Sequence, residues 1–364
     1  MRVVVAGWLA LVSAACGPTQ PTPVAAIISG APASIGDGWT ISSPRDEGID
    51  AARLETLAQR IQSGRYGLVD SLVVARNGRL CFDAYFNGSP TTVHELQSVT
   101  KSVTSALVGA AIARGVVRDV QQSVASLLPE FAAAVRDDPP KAAIRVVDLL
   151  TMSAGLDWDE SLPSSDGRNT LTQMNNSADW VAFVLSRRAI EPPGTRFIYN
   201  SGGVILLGAL LHASTGQDVA SFAADVLFTP LGIRDQSWFR NPRQPEQIHT
   251  GGGLSLRARD MAKFGQLYLD EGVWAGARVL PRDWTRDSTR AWLSAPSYGA
   301  QYGFLWWLRS AMGASDVAEA WGARAQHIFV VRALNVVVVV TARDERMDAG
   351  RQILDEVLAA SSPR

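Results

Sequence analysis

Ser98-Val99-Thr100-Lys101 opens a run that continues Ser102-Val103-Thr104-Ser105-Ala106-Leu107-Val108-Gly109-Ala110-Ala111-Ile112-Ala113-Arg114-Gly115. The run is apolar almost all the way round, which predicts a helix buried in the core and stopped at Gly115. Residues three apart share a helix face, so the Ser98 hydroxyl and the Lys101 amine are expected to be neighbours. A serine beside a desolvated lysine is one of the few ways to make a strong oxygen nucleophile without histidine. Burial at a helix start disfavours the charged amine; bringing a lysine from about 10.4 to near 7 corresponds to about 5 kcal/mol of differential stabilisation. The plainer alternative is that Ser98 is an ordinary N-cap with Lys101 solvated beyond it.

Lysine usage favours the first reading. Only Lys101, Lys141 and Lys263 are lysines, within a Lys+Arg total of 34. A chain that otherwise uses arginine, yet keeps lysine at the mouth of its most apolar helix, has a use for an amine that can lose its proton. At 364 residues and a net charge of −1, the chain can bury a large core and has no basic tract beyond pairs such as Arg187-Arg188. Nucleic acid is therefore not an expected partner.

Met1-Arg2, the apolar stretch Val3 to Val12 and Ser13-Ala14-Ala15 read as a signal peptide over residues 1–15, too short to span a bilayer. Cys16 follows directly and resembles the acylated cysteine of a bacterial lipobox, although Ser13 stands where an aliphatic residue is usual. The expectation is export to the periplasm or cell envelope, with a lipid anchor on Cys16, and simple cleavage as the alternative. Residues 16–43, rich in Pro, Thr, Ala and Ser towards their start, read as a flexible tether. The only other cysteine, Cys81, sits in an alternating strand pattern and reads as a buried small hydrophobe.

The folded domain is expected over 44–364. Asp50 is a good N-cap for a helix through about Ser63. Strands Leu68 to Arg76 and Leu80 to Phe86 flank Asn77-Gly78, a hairpin signal. From about 119 to 299 the pattern is mostly helical. Strands return at Tyr302 to Leu308, His327 to Arg332 and Asn335 to Thr341, and a last helix covers Asp348 to Ala360. The implied class is α+β: one antiparallel sheet, completed by the sheet lobe's distant segments (about 44–118 and 300–364), flanked by helices, with an all-helical lobe (about 119–299) inserted. A cleft between the lobes is the expected site.

Three further stretches carry a specific pattern: Leu149-Leu150-Thr151-Met152-Ser153-Ala154-Gly155-Leu156-Asp157-Trp158; Pro193-Gly194-Thr195-Arg196-Phe197-Ile198-Tyr199-Asn200-Ser201-Gly202-Gly203; and Gly251-Gly252-Gly253-Leu254-Ser255 with Arg259-Asp260-Met261-Ala262-Lys263-Phe264-Gly265. In this order they resemble the serine β-lactamase-related family, which includes class C β-lactamases, D-amino-acid peptidases, family VIII esterases and 6-aminohexanoate-dimer hydrolases. The resemblance implies a β-lactamase/transpeptidase-like fold, with Ser98 as the acylated nucleophile, Lys101 as its proton acceptor and Tyr199 as the opening of the Tyr-x-Asn motif. A phenol close to an amine is expected to have a lowered pKa and to relay a proton to the leaving group.

The departures narrow the chemistry. Ser201 replaces the motif's asparagine and has no amide with which to hold a lactam side chain, so it is expected only to line the substrate site. Lys-Thr-Gly is absent, since no lysine follows Lys263. The nearest match is Trp321-Gly322-Ala323-Arg324-Ala325-Gln326, which resembles the third motif of non-lactamase branches in an uncertain register. Backbone N–H groups over Ala323 to Ala325 are expected to join the Ser98 N–H in an oxyanion hole, with Arg324 and Gln326 as substrate-contacting candidates. His94, His212, His249 and His327 have no metal-ligand spacing, so neither metal nor cofactor is expected. Thr151-Met152-Ser153-Ala154-Gly155 lacks the first glycine of a Gly-x-Ser-x-Gly elbow, and Ser153 reads as a turn residue. The sequence thus points to an exported serine hydrolase of small esters or amides. A D-amino-acid peptidase, a β-lactamase and a non-catalytic penicillin-recognising envelope protein remain the alternatives.

Overall fold

The computed structural model describes residues 30–136, 138–311, 314–344 and 348–361. The expected signal peptide and Cys16 lie outside them.

The sheet begins with the expected hairpin. Strands β1 (Val69–Arg76) and β2 (Arg79–Tyr85) are joined at Asn77 and Gly78, with φ of 53° and 75°. Two successive positive φ values twist the chain as a tight hairpin needs, and Asn-Gly tolerates them. The remaining strands come from the C-terminal third: β3 (Leu293–Ala295), β4 (Ala300–Tyr302), β5 (Trp307–Ala311), β6 (Ala314–Gly322), β7 (Gln326–Val331) and β8 (Val336–Ala342). Their order is β2-β1-β8-β7-β6-β5-β4-β3, antiparallel throughout, so the chain's ends meet where β1 pairs with β8.

Both faces of the sheet are covered, which is why β8 reads as an unbroken valine run. Val336, Val338 and Val340 face α1 (Ala51–Gln62) and the C-terminal helix, whereas Val337 and Val339 face the opposite core. That second core is organised around α2 (Val99–Ala113), whose residues from Val99 to Ala111 are all buried. Its C-cap Arg114 is followed by Gly115 at φ 72°, the predicted stop. Two longer helices, α3 (Ser201–Thr215) and α4 (Ala258–Leu269), and the short α5 (Arg282–Ser288) complete the scaffold. The C-terminal helix, α6, is Ala349–Ser361. Short helices such as Thr170–Asn176 and Trp180–Leu185 fill the lobe around α3.

Three sequence expectations change. Tyr302 to Leu308 is not one strand: Gly303 turns the chain, its N–H donating to Trp306 O at 2.8 Å, and a Cβ there would come within 2.2 Å of Ser288 O. Helix α4 falls within 119–299 but packs on β8, β7 and β1, so it belongs to the sheet lobe. The described end of the expected tether, 30–43, is packed on the domain. Trp39 is buried edge-on against Trp274, its indole donates to Arg259 O at 3.2 Å, and Asp37 pairs with the buried Arg259 guanidinium at 3.2 Å. Cys81 is buried as expected, its thiol pushed up to about 12 mainly by burial. Among the described residues no helix is long and apolar enough to cross a membrane.

Candidate active site

Ser98 sits at the N-cap of α2 with helical dihedrals (φ −68°, ψ −6°), and its hydroxyl makes no capping bond. The oxygen is therefore free of the role an N-cap serine normally plays. It faces Lys101 Nζ at 2.8 Å. Gln97, just before it, is held at φ 49°, a left-handed conformation that costs a non-glycine residue about 1 kcal/mol or more.

Lys101 is 2 % exposed and has two oxygen partners, Ser98 Oγ and Gly251 O, the latter at 2.6 Å. Thr250, the residue before Gly251, is held from both sides. Thr104 Oγ1 on α2 donates to Thr250 O at 2.8 Å, and Thr250 Oγ1 donates to Val204 O on α3 at 2.7 Å. Burial lowers the amine from 10.5 to about 8, opposed by the negative charge of Glu160. Burial thus favours the neutral amine, which could accept the Ser98 proton across the same 2.8 Å contact.

Tyr199 precedes α3, and its neighbour Asn200 caps that helix by accepting from Gly203 N at 2.9 Å. The Tyr199 ring stacks on Trp307 at 5.6 Å, and Lys101 Nζ lies 5.0 Å from the ring centroid. Ser98, Lys101 and Tyr199 therefore converge, as expected. The expected pKa direction for Tyr199 is reversed. Burial, and then the Glu160 charge, push the phenol well above its usual range, with only the facing Ser98 hydroxyl pulling back. Tyr199 thus keeps its proton and Lys101 loses its own first, so the pair could serve as acid and base.

The other candidates separate. Ser201 is in the cleft, but its hydroxyl donates to Glu160 Oε1 at 2.8 Å and its N–H to Glu160 Oε2 at 2.9 Å. Strand β6 presses on the Ser98 loop at Gly322, where a Cβ would meet Leu96 O at 2.4 Å and Ser98 N at 3.0 Å. Ala323 and Arg324 follow, exposed, in the β6–β7 turn. Ala325 does not reach the cleft: it is buried in the layer against α1 and α6. Gln326 is likewise turned away, its amide donating to Arg324 O at 3.0 Å and to Ala342 O. The pleat is the reason, since the turn passes the chain from one side of the sheet to the other within two residues. Ser153 is buried just after the turn at Thr151-Met152, rather than within a turn, and bonded to Thr151 Oγ1 at 2.8 Å.

Sequence reasoning missed two groups. Glu160 comes from the irregular stretch after Trp158, where no periodicity or motif marks it; Trp158 Nε1 donates to its Oε2 at 2.6 Å. His249 lines the cleft beside Gly251, its Nε2 3.1 Å from Asn175 Oδ1. Burial and the nearby Lys101 push His249 down to about 4, so it stays neutral. Its place directly before Thr250-Gly251-Gly252-Gly253 was the available signal. The cleft measures about 470 Å³ and is lined by Ser98, Gln97, Ser201, Trp238, Phe239 and His249 among others. Among the described residues no group of three His, Cys, Asp or Glu is arranged to hold a metal ion.

The chain is 28 % identical over 249 residues to a 6-aminohexanoate-dimer hydrolase of Paenarthrobacter ureafaciens, covering 64 % of this chain and 59 % of that one. It is 27 % identical over 186 residues to penicillin-binding protein 4 of Amycolatopsis lactamdurans, covering 43 % and 46 %. The chain thus spans about half the length of these relatives. Among solved structures it shares its fold with EstCE1, a hydrolase with promiscuous acyltransferase activity (TM-score 0.70, 17 % identity, 86 % of this chain and 99 % of that one). The octameric penicillin-binding protein homologue of Pyrococcus abyssi has the same fold (TM-score 0.67, 17 % identity, 85 % and 77 %). The family model described as Beta-lactamase matches residues 54–361, from the first helix to the last, and the chain belongs to the β-lactamase family of serine hydrolases.

Proposed function

We propose that this protein hydrolyses small esters through a Ser98 acyl-enzyme. The observation that carries the reading is the Lys101–Ser98 pair: a buried amine at 2.8 Å, with its pKa lowered to about 8, beside a hydroxyl that caps nothing. Lys101 takes the Ser98 proton as Oγ bonds to the carbonyl carbon. Tyr199 then protonates the departing alkoxide and recovers its proton from Lys101, and the C–O bond breaks. Water attacks the ester of Ser98 in the reverse sense, giving the free acid and restoring the hydroxyl. The N–H groups of Ser98 and Ala323 are our candidates for the oxyanion hole, supported by the close approach of Gly322 to Ser98 N.

Ester hydrolysis is preferred because Ser201, engaged with Glu160, has no amide for a lactam side chain. Short amides come second, in keeping with the relative named a 6-aminohexanoate-dimer hydrolase, and β-lactams third. Turnover of p-nitrophenyl esters by wild type and Ser98→Ala tests the reading: it predicts loss in the variant, and equal rates overturn it. The other reading is a penicillin-recognising protein that turns nothing over, favoured by the departure from Lys-Thr-Gly at Trp321-Gly322-Ala323. A fluorophosphonate adduct on Ser98, seen by intact mass, decides between them.

We further propose that residues 1–15 direct export and that Cys16 is acylated at the cell envelope, on the strength of the charged, apolar and small-residue order that precedes it. Incorporation of labelled palmitate in wild type but not in Cys16→Ala is the expected result.

A further inference from the structure

The mechanism above uses Ser98, Lys101 and Tyr199, and leaves Glu160 without a part. Its carboxylate is held by three donors: the Ser201 N–H at 2.9 Å, the Ser201 hydroxyl at 2.8 Å and the Trp158 indole at 2.6 Å. Two of them come from the first residue of α3, so the charge lies at the positive end of that helix, two residues after Tyr199. Ser201 in turn lies against Gly251, where a Cβ would come within 3.2 Å of Ser201 O and 3.4 Å of Ser201 Cβ. Gly251 O is the second partner of Lys101 Nζ. Glu160 is therefore bonded to Ser201, Ser201 neighbours Gly251, and Gly251 O accepts from the amine.

We propose that Glu160 is a positioning residue for proton transfer: its clamped carboxylate fixes a negative charge and Ser201 at the head of α3, beside the Gly251 carbonyl that holds Lys101, while Lys101 takes the Ser98 proton. The inference rests on the reading of Ser98 and Lys101 as nucleophile and base. Burial alone drives the amine down without limit of usefulness, because a base with too low a pKa is neutral but weak. Glu160 acts in the opposite direction and sets the balance at about 8. The other titratable groups facing Lys101 add no competing charge: Tyr199 stays protonated and His249 stays neutral. Tyr298, which also faces Glu160 and Tyr199, is raised and uncharged too. Glu160 is thus the one charge among these groups that bears on the amine.

The test is the pH dependence of fluorophosphonate labelling of Ser98, which needs no knowledge of the substrate. Glu160→Gln should move the rising limb to lower pH by about one unit, the usual size for removing an opposite charge, and lower the plateau several-fold. Glu160→Asp keeps the charge but withdraws it by one methylene, and should move the limb less and in the same direction. A carboxylate that serves only to cap α3 predicts lower thermal stability and lower amplitude with the limb in place. An unmoved limb in either folded variant overturns the proposal. Equal labelling of wild type and Ser98→Ala would instead overturn the hydrolase reading on which it rests.

Discussion

Adding one methyl group to β6 tests whether that strand forms the far wall of the nucleophile's pocket. In Gly322→Ala the new Cβ would lie 2.4 Å from Leu96 O and 3.0 Å from Ser98 N, both backbone atoms with no side chain to swing aside. Relief requires the strand and the Ser98 loop to part by about 1 Å, since carbon and oxygen in ordinary contact stand near 3.4 Å or more. A displacement of that size at a reacting centre lowers the rate about 10²-fold, or about 2.7 kcal/mol in the barrier. Overpacking costs a further 1–3 kcal/mol of stability, roughly. Gly109→Ala is the control. Its Cβ would lie 2.4 Å from the Trp284 ring, further along the same helix and away from Ser98, so it should lose stability without the selective loss of rate. Steady-state kinetics on a p-nitrophenyl ester, with thermal unfolding, separate the two. The expected pattern is a fall in kcat with KM little changed for Gly322→Ala. A Gly322→Ala protein with wild-type kcat and wild-type Tm would show that β6 does not press on the Ser98 loop.

Other substitutions probe the same structure. Lys101→Met should abolish acylation yet stabilise the fold at pH 7. Holding the charged amine at a pKa of about 8 instead of 10.5 costs on the order of 3 kcal/mol, of which lost bonds to Ser98 and Gly251 O offset about 1–2 kcal/mol. Because the folded pKa is the lower one, that penalty is complete below about 8 and fades as pH rises towards 10.5. Urea midpoints at pH 7 and pH 10 should therefore show the Met variant's advantage shrinking with pH; a constant difference would contradict it. Trp39→Ala should cost about 3–5 kcal/mol and release residues 30–43 to limited proteolysis, because the ring packs on Trp274 and bonds to Arg259 O. Unchanged protease resistance would contradict the packing of that segment.

The parts of the fold that were legible in the sequence are those where a local rule and the tertiary environment agree. The apolar run after Ser98, the Asn77-Gly78 turn and the valine run of β8 each carry a period or turn signal that burial reinforces. Strand β6 was hidden because its Ala- and Glu-containing sequence is a poor strand former in isolation. It forms because β5 and β7 pair on both sides and because Arg309 and His327 meet the buried Glu319 at 2.8 and 2.9 Å. The Ser98, Lys101 and Tyr199 positions were legible from motif order. Tyr199's raised pKa was not, because it depends on burial among Trp307, Tyr298 and Phe197 and on a charge from a distant loop. Glu160 was invisible for the same reason: its role is set by partners 41 residues away. Ala325 and Gln326 were misplaced because a motif's register does not say where a hairpin turn reverses the face.

The most direct test of the account is an NMR titration of the lysine Cε resonances. The chain has only three lysines, Lys101, Lys141 and Lys263, so variants assign the spectrum readily. The account predicts that the signal lost in Lys101→Met titrates at about 8 in wild type. A Lys101 signal that titrates at 10.5 or above would leave Ser98 without a base and contradict the account at its root.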